Sequence, residues 1–540
     1  MIHRRGFLGA AAGSLALAAC EKASSTAHIE GGFHGATAAR GHALRDGLLA
    51  GKAPERVQRT RVVIAGGGVA GLAAARALRL AGIEDFVLLE LEDSAGGNSR
   101  AGSLNGLPCP LGAHYLPVPG DAASEVQDLL EELGLRRRMA GRWVYDERHL
   151  CHSPQERLYF QGQWQEGLLP MQDVSAGTLA QYRRFDALVE EARRHGRFSI
   201  PLAKAAPGSQ LLALDAMRFD EWLNRHGLED PHLRWYLDYC CRDDYGAGSG
   251  EVSAWAGIHY FASRHGFQAP GRAHGDEADE REGVLTWPEG NGWLARRLAE
   301  PLGPERLRCG QVVTRIADLR GAVEIDAFDV RGQRLQRWQA ERCIIALPVF
   351  VAARVVQNPP EPLRQAAAQL RYAPWLVANV HLRAPLADRP PGAAPSWDNV
   401  VYGSAGLGYV DAGHQRLDPT PRETVISWYR PLGPSRHDGP DGRRQLLERP
   451  WTHWRDQLLA ELAVPHPDLP ELATRIEIVR HGHAMAIPVP GQLARMGAGR
   501  RRIEAGRLAF AHADWSGYSI FEEAFTRGHH AGTAFAGGHA

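Results

Sequence analysis

The apolar positions of this chain follow two rhythms. Short unbroken runs, Val62-Val63-Ile64-Ala65 and Phe86-Val87-Leu88-Leu89, flank a glycine turn and an alanine- and leucine-rich stretch with helical spacing. Strands that are apolar on both faces are strands covered on both faces, so the pattern predicts strand, turn, helix and parallel strand, the opening unit of an α/β domain. Further on, Val126, Leu129, Leu130 and Leu133 form a helical stripe that stops at Gly134. Amphipathic helices are also predicted through 179–195 and 219–226, so residues 121–280 read as predominantly helical. Strands are predicted at 311–316, 340–347, 375–382 and 424–429, and a last strand before Asp514 leads into a helix.

The turn between the first two strands carries candidate chemistry. Gly66 lets the chain reverse, Gly68 lets bare backbone approach a pyrophosphate, and Gly71 lets the helix press on the strand, so that the helix N-terminus faces the phosphates. Glu90 ends the second strand, where a carboxylate can accept from a ribose hydroxyl. Buried strands on both sides and an acid at that distance make this a dinucleotide site, which the glycine pattern alone would not.

The next two segments select the dinucleotide. Ser94-Ala95-Gly96-Gly97-Asn98-Ser99-Arg100 adds a second glycine pair, and Leu111-Gly112-Ala113-His114-Tyr115-Leu116 comes after it. Together these segments resemble the flavin-containing amine oxidase superfamily, which includes carotenoid-type desaturases and protoporphyrinogen oxidase. The resemblance implies FAD as cofactor, with Gly96, Gly97 and Arg100 along its phosphates and Gly112, Ala113, His114 and Tyr115 beside the flavin ring. In the same way, the V-x-x-I spacing of Val313 and Ile316 implies that Val313 lies by the adenine, and Asp514 is implied as a partner of the ribityl chain. The implied fold is a Rossmann-like FAD-binding domain of the GR2 type, built from 61–120, 281–350 and 500–540 and interleaved with a mixed α+β substrate domain at 121–280 and 351–499. His114, Trp515 and Tyr518 are the candidate substrate-contacting residues.

This sequence also departs from the family's pattern. Many amine oxidases hold a water beside the flavin with a lysine at a place corresponding to Ala378-Asn379, yet the lysines here are Lys22, Lys52 and Lys204. The covalent cysteine of monoamine oxidases has no counterpart, and His481-Gly482-His483-Ala484 stands near its place. Trp515-Ser516-Gly517-Tyr518 looks like the aromatic segment around the substrate amine, but aligning Glu522-Glu523-Ala524 with the family's Glu-Gly-Ala puts Ile520 in the tyrosine's position. His512 and Glu523 replace usual glycines.

The N-terminus adds a location. Arg4-Arg5-Gly6-Phe7-Leu8 precedes an apolar run too short to cross a bilayer, which resembles a twin-arginine export signal. Leu17-Ala18-Ala19-Cys20 resembles a lipoprotein box with Cys20 as the lipidated residue, or else Cys20 is incidental to an ordinary cleavage site. The expectation is a membrane-anchored protein of the bacterial periplasm, exported folded with FAD already bound. Residues 1–20 would be the signal, and 21–60, poor in periodic apolar positions, a flexible tether.

Charge and cysteines narrow the rest. The 62 basic and 62 acidic residues balance, so nothing calls for a nucleic-acid partner, and no basic helix calls for anionic lipid. The seven cysteines show no CxxC, and His512, His529 and His530 no zinc pattern, so no metal is expected. The leading expectation is an FAD oxidoreductase that takes a hydride from a carbon next to nitrogen on a small amine and passes electrons to dioxygen or another acceptor. The alternatives are a desaturase or isomerase of an apolar lipid, and a flavin-bearing envelope subunit without turnover. A compact chamber with an acidic or aromatic lining would mark the first, and a long apolar tunnel the second.

Overall fold

The computed structural model describes residues 26–49, 53–204, 208–264, 266–270, 283–387, 392–416, 420, 422–496 and 503–536. Residues 1–20, which resemble an export signal ending at Cys20, lie outside them. Two large sheets organise the chain. The first runs in the order Leu307–Cys309, Phe86–Glu90, Arg56–Ala65, Arg334–Ile345, Val323–Asp329, Gln311–Asp318, with Leu508–Phe510 also joined to Arg334–Ile345. Its centre is parallel, with Val63 opposite both Val87 and Cys343, and Cys343 opposite Leu508. Val62 to Ala65 are almost wholly buried, as the unbroken apolar run requires.

The helix Val69–Leu80 covers this sheet and is itself covered by the closing helix Phe521–Ala536. A side chain on Gly528 would lie 1.9 Å from the Ala70 carbonyl oxygen, so glycine there sets how closely the two helices approach. The closing helix is thereby packed onto the first long helix over this sheet.

The second sheet runs Glu30–Phe33, Ala473–Ala486, Tyr372–Leu382, Thr424–Pro431, Tyr409–Asp411, Asp398–Val401, Glu156–Phe160, Gln163–Glu166. Alternate residues of its central strand enter different cores: Trp375 and Val377 pack under the helices Ala176–His195, Pro231–Tyr245 and Ala254–Ala262, while Leu376, Ala378 and Val380 pack under Trp451–Leu462. The result is the mixed α/β architecture expected, with the strands of the two sheets interleaved along the chain.

Two expectations need correction. Much of the stretch 21–60 is folded rather than a tether. Glu30–Phe33 pairs in parallel with Ala473–Ala486, the helix Ala38–Arg45 follows, and the first long strand begins at Arg56 rather than Arg61. Thr37 is fixed through its amide and hydroxyl to Glu92 at 2.9 and 2.7 Å, and Arg40 donates to the Leu91 carbonyl at 2.8 Å. Backbone pairing and polar contacts leave no apolar period, which is why the pattern of hydrophobic positions does not reveal this order. Residues 121–280 are also less helical than predicted, since they hold the hairpin Arg136–Met139 with Arg142–Tyr145 and two strands of the second sheet.

Candidate functional site

A cleft of about 470 Å³ runs between the two sheets, within the range that holds small ligands and cofactors. One end is built by the glycine turns. Gly66 sits at φ 103°, and a side chain on Gly71 would lie 1.9 Å from the Gly66 oxygen, so the turn and the helix above it close only with glycine at both. The Gly96 amide donates to the Gly67 carbonyl at 2.8 Å, and Gly97 passes so near Gly68 that a Cβ would meet its Cα at 3.1 Å. Two bare backbone segments therefore lie side by side beneath a helix N-terminus, an arrangement that fits a pyrophosphate.

The Glu90 carboxylate lines the next part of the cleft and accepts from the amides of Gly67 at 2.7 Å and Glu92 at 2.8 Å. Burial raises its pKa, and these two amides pull the other way. Lone pairs remain for a ribose hydroxyl. Val313 lines the same end, beside a bulge in its strand pairing. These residues fit a dinucleotide. Arg100 does not lie on the wall. Its guanidinium donates to the Gly35 and Gly97 carbonyls at 3.0 and 3.3 Å and stands 3.6 Å from Glu92, so it braces the glycine turn from behind.

Gly112, Ala113, His114 and Tyr115 line the middle of the cleft. The Ala113 amide donates to the Asn98 oxygen at 2.8 Å, which ties this segment to the second glycine turn. His114 packs 4.3 Å from the Tyr429 ring and 5.5 Å from Trp397, and burial lowers its pKa to about 3, so the imidazole is neutral. At the far wall, Asp514 accepts from the Tyr372 hydroxyl at 2.6 Å and the Val349 amide at 2.9 Å. Burial would raise the Asp514 carboxyl, but His512, Tyr372 and the Val349 amide outweigh it and hold the carboxyl below its usual range.

Two candidates for substrate contact sit elsewhere. Trp515 is buried against Phe510, with ring centroids 5.6 Å apart, in the core beside the first sheet. The Tyr518 hydroxyl donates to Asp244 at 2.6 Å from behind the wall, while Ile520 and Glu522 reach the cleft. A tight turn at Gly517, φ 65°, swings the chain so that the residue two positions beyond Tyr518 faces inward. At the place considered for the missing lysine, Asn379 points away from the cleft. It donates to the Pro110 carbonyl at 2.9 Å and accepts from Ser427 at 2.6 Å, whereas Val377 and Trp375 line the cavity. His481 and His483 line it too. His481 lies 2.8 Å from the Leu111 oxygen, and His483 stacks on Phe350 with a pKa lowered to about 4 by burial.

Asp243, Asp244 and Arg264 also line the cleft, and sequence reasoning missed them. Burial, then the neighbouring Asp244, raises Asp243 to about 7 against the pull of Arg264 and a hydrogen bond from Tyr115. Burial raises Asp244 as well, opposed by Arg264 and the Tyr518 hydroxyl. Behind Tyr115, Asp398 and Glu156 occupy facing register positions on adjacent strands, and burial followed by Glu156 and Asp243 drives Asp398 well above the carboxylate range. The available signal was the adjacent pair Asp243-Asp244 in the last turn of a helix that also carries Trp235, Tyr236, Tyr239 and Tyr245. The site therefore joins a dinucleotide cradle to a chamber walled by tyrosines, neutral histidine and carboxyls.

Comparison with known proteins agrees with this geometry. A model of the flavin containing amine oxidoreductases matches residues 69–424. The chain is 21% identical over 307 residues to a probable flavin-containing monoamine oxidase A of Dictyostelium discoideum, covering 56% of this chain and 60% of that protein. Among solved structures, a double mutant of putrescine oxidase superposes with a TM-score of 0.65 at 16% identity, over 88% of this chain and 99% of the other. Cyclohexylamine oxidase from Brevibacterium oxydans superposes with a TM-score of 0.62 at 19% identity, over 88% and 98% of the two chains. At these identities the superpositions establish the fold. The family match runs through more than half of the chain, from the opening helix of the dinucleotide cradle into the second sheet, and the protein belongs to the flavin-containing amine oxidoreductase family.

Proposed function

We propose that this protein is an FAD-dependent oxidoreductase that removes a hydride from the carbon next to nitrogen on a small cationic amine, with dioxygen or another acceptor taking the electrons. The observation that carries this reading is the acidic and aromatic wall of Asp243, Asp244, Tyr115, Tyr429 and neutral His114 facing one continuous cleft. A cation entering there meets carboxyls and π-faces, and the positive charge on that wall, Arg264, is countered by Asp244 and Glu522. An apolar lipid would bring no cation to this acidic wall, which disfavours the desaturase reading.

FAD, when bound, supplies the two-electron acceptance. The chain's own residues bind and orient. Amides at Gly68 and Val69 would hold the pyrophosphate, Glu90 the ribose and Asp514 the ribityl chain. Tyr115, Tyr429 and His114 would fix the amine and exclude water, and Asp243 would take the ammonium as its ion pair. Export through a twin-arginine signal and anchoring at Cys20 in the periplasm belong to the same proposal, on the strength of Arg4-Arg5 and Leu17-Ala18-Ala19-Cys20.

The test is anaerobic mixing of the purified flavoprotein with a panel of primary amines, diamines and unsaturated fatty acids, read as bleaching of the flavin band. Bleaching by amines alone is expected. A flavin that stays oxidised with every amine, or that responds to the fatty acids instead, would overturn the reading.

A further inference from the structure

The hairpin of Arg136–Met139 and Arg142–Tyr145 serves neither sheet nor cleft. It is closed by Ala140 at φ 48° and Gly141 at φ 84°, a tight turn that holds the two strands in register. Its ten residues, Arg-Arg-Arg-Met-Ala-Gly-Arg-Trp-Val-Tyr, include four arginines and no acid. Register pairs Arg137 with Val144 and Met139 with Arg142, and all four are exposed, so one face alternates arginine with apolar side chains. The other face pairs Arg136 with Tyr145 and Arg138 with Trp143.

Two features mark this patch among the described residues. Exposed large apolar residues elsewhere, such as Leu48, Val57, Leu80 and Leu319, fall in separate segments, whereas Met139, Trp143 and Val144 are 47%, 42% and 38% exposed within one hairpin. Second, Arg136 pairs with Glu131 at 3.6 Å and lies 3.8 Å over the Trp143 ring, yet among the described residues no carboxylate within ion-pair distance answers Arg137, Arg138 or Arg142. Arg136 covers Trp143, but nothing among the described residues accounts for Met139 and Val144 standing exposed between the guanidinium groups of Arg137 and Arg142.

We infer that this hairpin is a docking surface for an anionic phospholipid membrane. Guanidinium groups match lipid phosphates in fork geometry, tryptophan favours the headgroup level, and methionine and valine on the outward face can enter the acyl boundary. The charge and the apolar groups occupy the same small area, which is what an interface with one charged and one apolar layer demands. The inference is independent of the substrate and of lipidation. For a protein held at a membrane it would fix which side of the body faces the bilayer.

The experiment uses the full-length chain carrying Cys20→Ser, so that no acyl group masks the effect, and vesicles of phosphatidylglycerol mixed with phosphatidylcholine against pure phosphatidylcholine. Cosedimentation is expected with the anionic vesicles, weakening at high salt, and the combined change Arg137→Gln, Arg142→Gln and Trp143→Ser is expected to lower that affinity by about tenfold or more at unchanged flavin absorbance. The N-terminal segment is common to both proteins, so the difference between them reads the hairpin. Equal sedimentation of the two, or binding indifferent to lipid charge and salt, overturns the inference. So does wild-type protein that ignores both vesicles, the result expected if the hairpin docks an acidic protein instead. If the variant does not fold, the salt series on the unmodified hairpin decides alone.

Discussion

Replacing Asp243 by asparagine separates two consequences of one carboxyl. In the folded protein this group titrates at about 7, against an ordinary 3.8, because burial and Asp244 disfavour its charge. An acid raised by folding is held protonated by the native state, so its effect on stability is nil below the unfolded value, where both states carry the proton. As pH rises from about 4 to 7 the unfolded chain ionises while the native one resists, and stability is lost; above 7 the loss is complete. At about 1.4 kcal/mol for each pH unit the shift amounts to roughly 4 kcal/mol, and partial exposure to the cleft halves this to about 2 kcal/mol. An amide in place of the carboxyl would carry no such loss. Spread over a chain of this size, that is a rise in melting midpoint of about 2 °C for Asp243→Asn at pH 8 and none at acid pH. The same change removes the proposed partner of the substrate ammonium, which costs about 2 kcal/mol, or a roughly 30-fold rise in KM, for a buried charge pair. The assays are thermal melts across the pH range and steady-state kinetics with the best amine. Melting curves that run parallel at every pH would refute the burial argument, and an unchanged KM would refute the assigned role.

The cradle and its supports can be probed in the same way. Gly71→Ala places a methyl group against the Gly66 oxygen, and the forced shift should cost about 1–3 kcal/mol and release flavin, read as the absorbance ratio of the purified protein. Asp514→Asn removes the charge that His512, Tyr372 and the Val349 amide hold below the usual range. That group contributes stability above its unfolded pKa and loses it as pH falls through the folded value, so the variant should melt lower near neutrality and converge with wild type in acid. Trp515→Ala should cost about 3–5 kcal/mol through the core it leaves, with KM unchanged in the protein that remains folded and flavin-loaded. Tyr518→Phe takes one donor from Asp244 and should destabilise by about 1–2 kcal/mol, with a far smaller change in KM than Asp243→Asn.

How much of this could be read from the chain alone depended on the kind of force involved. The first glycine turn and Glu90 were legible because close backbone approach and a buried parallel strand each impose residue types at fixed spacing, whereas Gly96, Gly97 and Gly112–Tyr115 were implied by the family resemblance alone. The central strands were legible because burial on both faces leaves unbroken apolar runs. Glu30–Phe33 was not, since an edge strand held by its backbone needs no apolar code. Arg100 was placed correctly in space but given the wrong partner: adjacency to the glycine pair said nothing about which side its guanidinium takes. Tyr518 and Trp515 were misjudged because the turn at Gly517 rotates the chain between them and the cleft, and no periodicity records a turn's rotation. Asp243 escaped because a helix that also carries Arg234, Asp238, Arg242 and Asp244 reads as a solvated one until the space beside it is known.

The strand Glu30–Phe33 has a consequence for how the molecule is made. It can find its partner only after residues 473–486 have been synthesised, and the helix beyond it carries Leu44 to the rim of the cofactor cleft. A piece from near the start of the chain is thus seated late, and its pairing waits until almost everything else is in place. Completion of assembly becomes physically readable in this one early strand.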